Sequence, residues 1–218
     1  MLTDPDGVAE LRRLGARSIP VLSRGDDWVF AQNIAPVVKF LGLNEATGPA
    51  LSPEALVKRV SLFVETATKI IPQMPDALMS KEVPNRPRTY RVLAHHIFRI
   101  PQGMVMVAGG ETLTNDLLMP GVPEEMRTGA DLGRYGESVL AELSEWWATK
   151  ADRTGKQVVH TYYGDQLLHE VLERTTWHCG QHVRQWFMLL EMAGVTPAAT
   201  LDASAFKDLP MPSSVWDG

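Results

Sequence analysis

The stretch Arg174-Thr175-Thr176-Trp177-His178-Cys179-Gly180-Gln181-His182-Val183-Arg184-Gln185 is the one around which the chain is organised. His178 and His182 stand four residues apart. On an α-helix that spacing stacks two imidazoles on one face, within reach of a single metal ion. The surrounding pattern predicts a helix from Asp165 to about Ala193, stopped by Gly194. Its apolar stripe runs through Leu168, Val171, Leu172, Thr175, Trp186, Leu189 and Leu190, and both histidines fall within it. A neutral imidazole inside a bundle needs a partner at each ring nitrogen. Two on adjacent turns are costly to bury without compensation. A divalent metal compensates them, with nitrogen ligands at roughly 2.0–2.1 Å.

A third histidine comes from a helix predicted over Thr89 to Val107. Val92, Leu93, His96, Ile97, Ile100, Met104 and Val105 line one face of it. His96 therefore faces the core, and His95 is turned about 100° away. His96 is the expected third ligand, with His95 as the alternative or as a donor behind it. Satisfied core histidines are the competing reading, since a single His-x-x-x-His is common by chance. His160 and His169 lie off the stripe and are expected at the surface. Cys179 is a further ligand, a reactive thiol or, as is commoner, a buried inert cysteine. Glu170 and Arg174 form an i, i+4 pair of the kind that supports solvated helices. In a functional reading Arg174, one turn before His178, clamps a substrate carboxylate. Arg184 is a second candidate for that role, and Glu170 or Glu173 a candidate base.

Outward from the histidines the chain reads as mainly α. Ser52-Pro53-Glu54 is a helix start, with an N-cap serine, a proline at the first position and an acid in the first turn. Leu56, Val57, Val60, Phe63, Val64, Ala67, Ile70 and Ile71 then recur at helical spacing. Pro72–Pro87 is expected to be an irregular loop, and Pro101 to kink or end the second helix. After a loop from Gly109 to Ala130, Asp131 is expected to cap a third helix with Leu132, Val139, Leu140, Leu143, Trp146 and Trp147 inward. Gln157 to Tyr163 is expected to be extended. Four helices with long first and second connections predict a four-helix bundle over residues 52–195. The proline-containing tail, 196–218, is expected to be loosely packed or partner-bound.

Residues 1–43 read as a small α-β-β-α unit, joined to the bundle by a linker at 44–51. A helix from Asp4 to Leu14 ends at Gly15. Strands follow at Ser18–Leu22 and Trp28–Phe30, and Asn33 caps a helix from Ile34 to Leu43. The order resembles the C-terminal half of a thioredoxin or glutaredoxin fold, with Pro20 matching the proline, usually cis, before a strand. The half that would carry Cys-x-x-Cys is absent. No redox activity is therefore expected, and the fragment reads as a remnant lid or dimerisation element. It also raises the expectation that the start site is placed too late.

The bundle itself resembles the DinB/YfiT-like superfamily, which includes mycothiol-dependent maleylpyruvate isomerase and bacillithiol S-transferases. Val92-Leu93-Ala94-His95-His96-Ile97 looks like the family's Leu-x-x-His-Ile helix, and His178-Cys179-Gly180-Gln181 like its His-x-Gly-Gln. The resemblance implies a four-helix bundle with a three-histidine site for zinc or nickel, and a low-molecular-weight thiol as co-substrate. It carries over His96 and His178. The position four residues before the second of these is Arg174, and the i, i+4 pair stands one turn later, at His178 and His182.

The chain has 218 residues, 44% hydrophobic and 22% charged, enough for one substantial core and a small appendage. Its net charge of −5, with no basic run, argues against nucleic-acid binding. A single cysteine cannot form an intrachain disulfide, which fits a reducing compartment. Neither a signal peptide nor a membrane-spanning run is visible, so a cytoplasmic protein is expected. Two functions are open at this point. One is a metal-dependent S-transferase, isomerase or hydrolase acting on a small molecule, with a homodimer as the expected assembly. The other is a non-catalytic stress or interaction module that uses the bundle as a dimer scaffold.

Overall fold

Ser52 begins the larger part of the chain as the sequence predicts. Its side chain accepts a hydrogen bond from the Ala55 N–H, and helix α3 runs from Pro53 to Ile70 with the expected apolar face buried. The structure is a computed structural model that describes residues 4–16, 19–31, 34–45, 47–84 and 86–216. It divides into two units, Met1–Gly48 and Pro49–Gly218.

The first unit holds α1 (Pro5–Leu14), β1 (Val21–Arg24), β2 (Asp27–Phe30) and α2 (Ile34–Leu41). Asp4 caps α1, and Gly15 closes it in the left-handed region at φ 69°. β1 and β2 pair antiparallel, from Val21 opposite Phe30 to Arg24 opposite Asp27. Arg13 ties α1 to the turn between them through Asp26 and the Gly25 carbonyl. The Ile19–Pro20 peptide is cis. The likeness to half a thioredoxin fold rests on this order alone, and the expected Asn33 cap and the Ser18 end of the first strand lie outside the described residues.

The second unit is a four-helix bundle of α3, α4 (Tyr90–Ala108), α6 (Gly129–Thr149) and α7 (Leu168–Met192), with a short α5 (Asn115–Leu118) in the second connection. α3 and α4 each pack on both α6 and α7. The core is therefore filled from four faces, by side chains such as Phe63, Leu93, Phe98, Leu143 and Trp186.

Several elements differ from the sequence expectation. Thr128, not Asp131, caps α6: its hydroxyl accepts from the Asp131 N–H while Asp131 accepts from the Thr128 N–H, a reciprocal capping box. α7 starts at Leu168, because Gly164–Leu167 forms a strand, β4, that pairs with β3 (Val158–Thr161). Asp165 is consumed in that hairpin, where it accepts a 2.7 Å bond from His160. α4 continues through Pro101 to Ala108. A proline at that position removes the bond that would reach the Ile97 carbonyl, and the Cys179 thiol, donating from α7 at 3.6 Å, fills the place of the missing donor. The tail packs on the bundle: Gln73 bonds at Thr196 and Ala198, Ala205 and Leu209 are buried, and Phe206 stacks on Phe63 at 5.3 Å.

Close helix approach depends on glycine. A Cβ at Gly129 would lie 2.7 Å from the Ile71 carbonyl oxygen and 3.0 Å from the Pro72 Cα. Both neighbours are backbone and cannot turn aside. Gly129→Ala is expected to destabilise the bundle by about 1–3 kcal/mol, the usual cost of overpacking. Chemical denaturation checks this, and an unchanged midpoint would refute the packing account.

Candidate metal centre

α4 and α7 bring His96, His178 and His182 together, as their positions on the two apolar faces require. One ring nitrogen from each lies within 4.8 Å of the others. His96 and His182 are 5% and 6% exposed, and His178 borders a pocket. The Nε2 atoms of His178 and His182 face each other at 3.1 Å. Two nitrogens bound to one tetrahedral ion at 2.0–2.1 Å stand roughly 3.4 Å apart, so this pair is spaced for a shared ligand.

The outer ring nitrogens decide which lone pairs are free. His96 Nδ1–H donates to the Leu118 carbonyl at 3.1 Å, and His182 Nδ1–H donates to Gln185 Oε1 at 2.7 Å. In each ring the proton placed this way, as assigned from the bonding network, leaves Nε2 as an unprotonated lone pair. Metal-ligating histidines ordinarily have this carbonyl support behind them. Burial pushes the pKa of His96 down to about 4 and those of His178 and His182 well below the ordinary range, with further lowering from Arg88 and from one another. The rings are therefore neutral at pH 7, the form that binds a metal.

The other histidines take different places. His95 is buried and stacks on Tyr135 at 5.1 Å, and burial lowers its pKa to about 4. His160 sits exposed on the β3–β4 hairpin, and His169 meets the Leu51 carbonyl at 2.8 Å. Burial raises the Cys179 thiol to about 12, so it is protonated and inert, bonded to Ile97 as described. Glu170 accepts from the Leu167 N–H at the start of α7. Glu173 is half-buried, and that burial raises its pKa. Arg174 lies 5.0 Å from the centre of the Tyr163 ring and donates to the Tyr162 hydroxyl. Arg184 donates to Gln181 Oε1 and to the Pro212 carbonyl.

The histidines open onto a pocket of about 470 Å³, lined also by Arg86, Arg88, Met119, Trp177 and Pro212. Three of its features went unread in the sequence. Gln185 orients His182, and the repeat of glutamine three residues after each histidine was its signal. The Gln181 and Gln185 amides both donate to the Val215 carbonyl, at 2.7 and 3.0 Å, which ties the tail to the site. Arg88 enters from the loop before α4, with nothing in the local pattern to mark it.

No family model and no curated protein matches the chain. Among solved structures, a DinB-like protein from Bacillus cereus ATCC 10987 superposes with a TM-score of 0.56 over 68% of this chain and 97% of its own, at 16% identity. The bundle has a DinB-like fold. At that identity the likeness speaks to architecture, and the donor set has to be judged on its own chemistry. Three neutral imidazoles, two with their outer protons already placed, fit a divalent ion.

Two measurements check this geometry. Gln185→Ala should weaken divalent-metal affinity by about 10–100-fold, the usual effect of losing support behind a ligand; unchanged affinity would mean that Gln185 does not orient His182. The second concerns the metal-free protein. The unfolded chain protonates its histidines below about 6.5, whereas His95 and His96 stay neutral in the folded chain down to about 4. The unfolded state then binds more protons within that window, so stability is fully present above it and falls as pH drops through it. Each unit of pKa separation contributes about 1.4 kcal/mol. Denaturation of metal-free protein at several pH values should show the decline, and a flat profile would contradict it.

Proposed function

We propose that residues 49–216 form a metal-dependent enzyme acting on a small molecule, in which His96, His178 and His182 hold one zinc or nickel ion. The observation that supports this most is the pair of Nδ1–H donations, to the Leu118 carbonyl and to Gln185 Oε1, which leaves Nε2 unprotonated on His96 and His182 within a cluster that includes His178. Without a metal, His178 Nε2 donates to His182 Nε2 at 3.1 Å; a divalent ion would take the place of that shared proton and draw on all three rings at the pocket wall. Held by these three residues, the ion would supply Lewis-acid chemistry, lowering the pKa of a water or thiol so that a nucleophile could exist at neutral pH. The chemistry that fits is thiol-dependent transfer or isomerisation, or hydrolysis.

The chain's own residues divide the remaining work. Trp177, Met119 and Pro212 supply an apolar wall for the substrate body. Leu118 and Gln185 fix the imidazole planes. Among the described residues that line the pocket there is no carboxylate, so no acidic base is assigned, and a water or thiol held by the ion would release its proton to solvent. Arg174 and Glu170 act from outside the pocket, by holding the hairpin and the start of α7.

Protein purified without an affinity tag should carry zinc or nickel near one per chain, measured by elemental analysis. His96→Ala and His182→Ala should lose it, with a lower melting temperature only in the metal-loaded comparison. Metal saturating the site at about 100 times its Kd stabilises by about 2.7 kcal/mol. Metal-free protein whose melting temperature does not respond to added zinc or nickel would sink the proposal and favour the interaction module.

A further inference from the structure

We propose that the histidine pocket takes its ligand as a small oxyanion, a carboxylate or phosphate, and that Arg88 is the group that binds it. This rests on the metal reading for the position of the reacting end, although the anion site stands on Arg88 itself. Arg88 lies in a segment fixed on both sides. Its carbonyl accepts from the Val83 N–H at 2.9 Å, its N–H donates to the Arg86 carbonyl at 2.8 Å, and Thr89 bridges Glu82 next to it. The side chain lines the pocket beside His178 and His182. Its Nε is buried and has no hydrogen-bond partner among the described residues. A buried guanidinium nitrogen without an acceptor is costly, and a bound water, ion or anionic ligand beside it would offset that cost.

Charge points the same way. Arg88 lines the pocket, and among the described residues that line it there is no Asp or Glu. The three imidazoles are neutral, so they add no compensating charge, and a divalent ion would add two more positive charges. A guanidinium in such a lining favours an anionic ligand. Guanidinium presents paired donors that match the two oxygens of a carboxylate or phosphate. The two other arginines near the site are committed elsewhere, Arg174 to Tyr162 and Tyr163, Arg184 to Gln181 and Pro212. At about 470 Å³ the pocket is of the size that holds a small molecule.

The test is a phosphorus NMR titration of the full chain with inorganic phosphate at low ionic strength, in metal-free and nickel-loaded forms. Metal-free wild-type protein should bind phosphate saturably. Arg88→Met should weaken that binding tenfold or more, Arg88→Lys by less, and Arg134→Met, at an exposed position outside the pocket, should leave it unchanged. Arg88→Lys keeps the charge and guards against a Met variant that fails to fold. Nickel-loaded protein should broaden the phosphate signal, since the two sites adjoin. If nickel does not load, the metal reading fails while Arg88-dependent phosphate binding still supports the anion site. The proposal is overturned if wild-type protein shows no saturable binding, or if both Arg88 variants bind phosphate as wild type does.

Discussion

Three uncharged imidazoles at one wall of a helical bundle set the terms for much of what surrounds them. A buried neutral ring must place its one proton on an acceptor, and here two of the three do so on the side away from the pocket. That requirement reaches well beyond α4 and α7. Leu118 can accept from His96 only if the segment after α4 returns across it. Arg99 holds that segment by donating to the Leu117 carbonyl at 2.7 Å, and Arg91 holds its far end through the carbonyls of Val122, Pro123 and Met126. Gln185 can accept from His182 only with its amide turned away, and the amide finds the Val215 carbonyl. The second connection and the tail are thus both anchored to the orientation of a histidine.

The same helices show how a local defect is absorbed by its neighbour. Pro101 sits in the middle of α4 and leaves the Ile97 carbonyl without its helical partner, yet the helix continues. Cys179, from the facing turn of α7, donates its thiol to that oxygen. The single cysteine therefore has a structural occupation next to a histidine, and its burial raises its pKa far from the thiolate range. One residue further on, Gly180 lets Phe63 approach to within 2.7 Å of where a Cβ would stand. The turn His178–His182 is thus fixed to α4 by a hydrogen bond and to α3 by contact, which gives the imidazole pair a rigid mount.

How much of this was legible in the sequence follows the range of the interactions. The four bundle helices, the buried faces of His96 and His182 and the Ser52 start depend on periodicity and on contacts within a turn, and these read correctly. Of the β3–β4 hairpin, the extended stretch at β3 read correctly, and β4 did not. Asp165 has the look of an N-cap, and its pairing with His160 across a turn competes with that role. Thr128 was passed over for Asp131 because either residue type can begin a helix, and only the reciprocal bond separates them. The tail reads as loose because its prolines carry no period, whereas what holds it are bonds from Gln73, Gln181 and Gln185 to residues far along the chain. Arg88 had no signal, since its place in the pocket lining depends on what the loop before α4 faces.

The placement of Arg174 shows why helical spacing alone cannot define this site. It stands one turn before His178, on nearly the same face, and by that rule it belongs with the histidines. The hairpin occupies that end of α7, however, and Tyr162 and Tyr163 engage the guanidinium. At the other end the tail closes over Arg184 through the Pro212 carbonyl. Between hairpin and tail, only the turns from Trp177 to Gln185 remain open to the pocket. The cations that line the pocket, Arg86 and Arg88, therefore come from a different element, the segment leading into α4. The length of helix left uncovered by its neighbours limits which side chains can reach the pocket, and that length is set by tertiary packing on both sides.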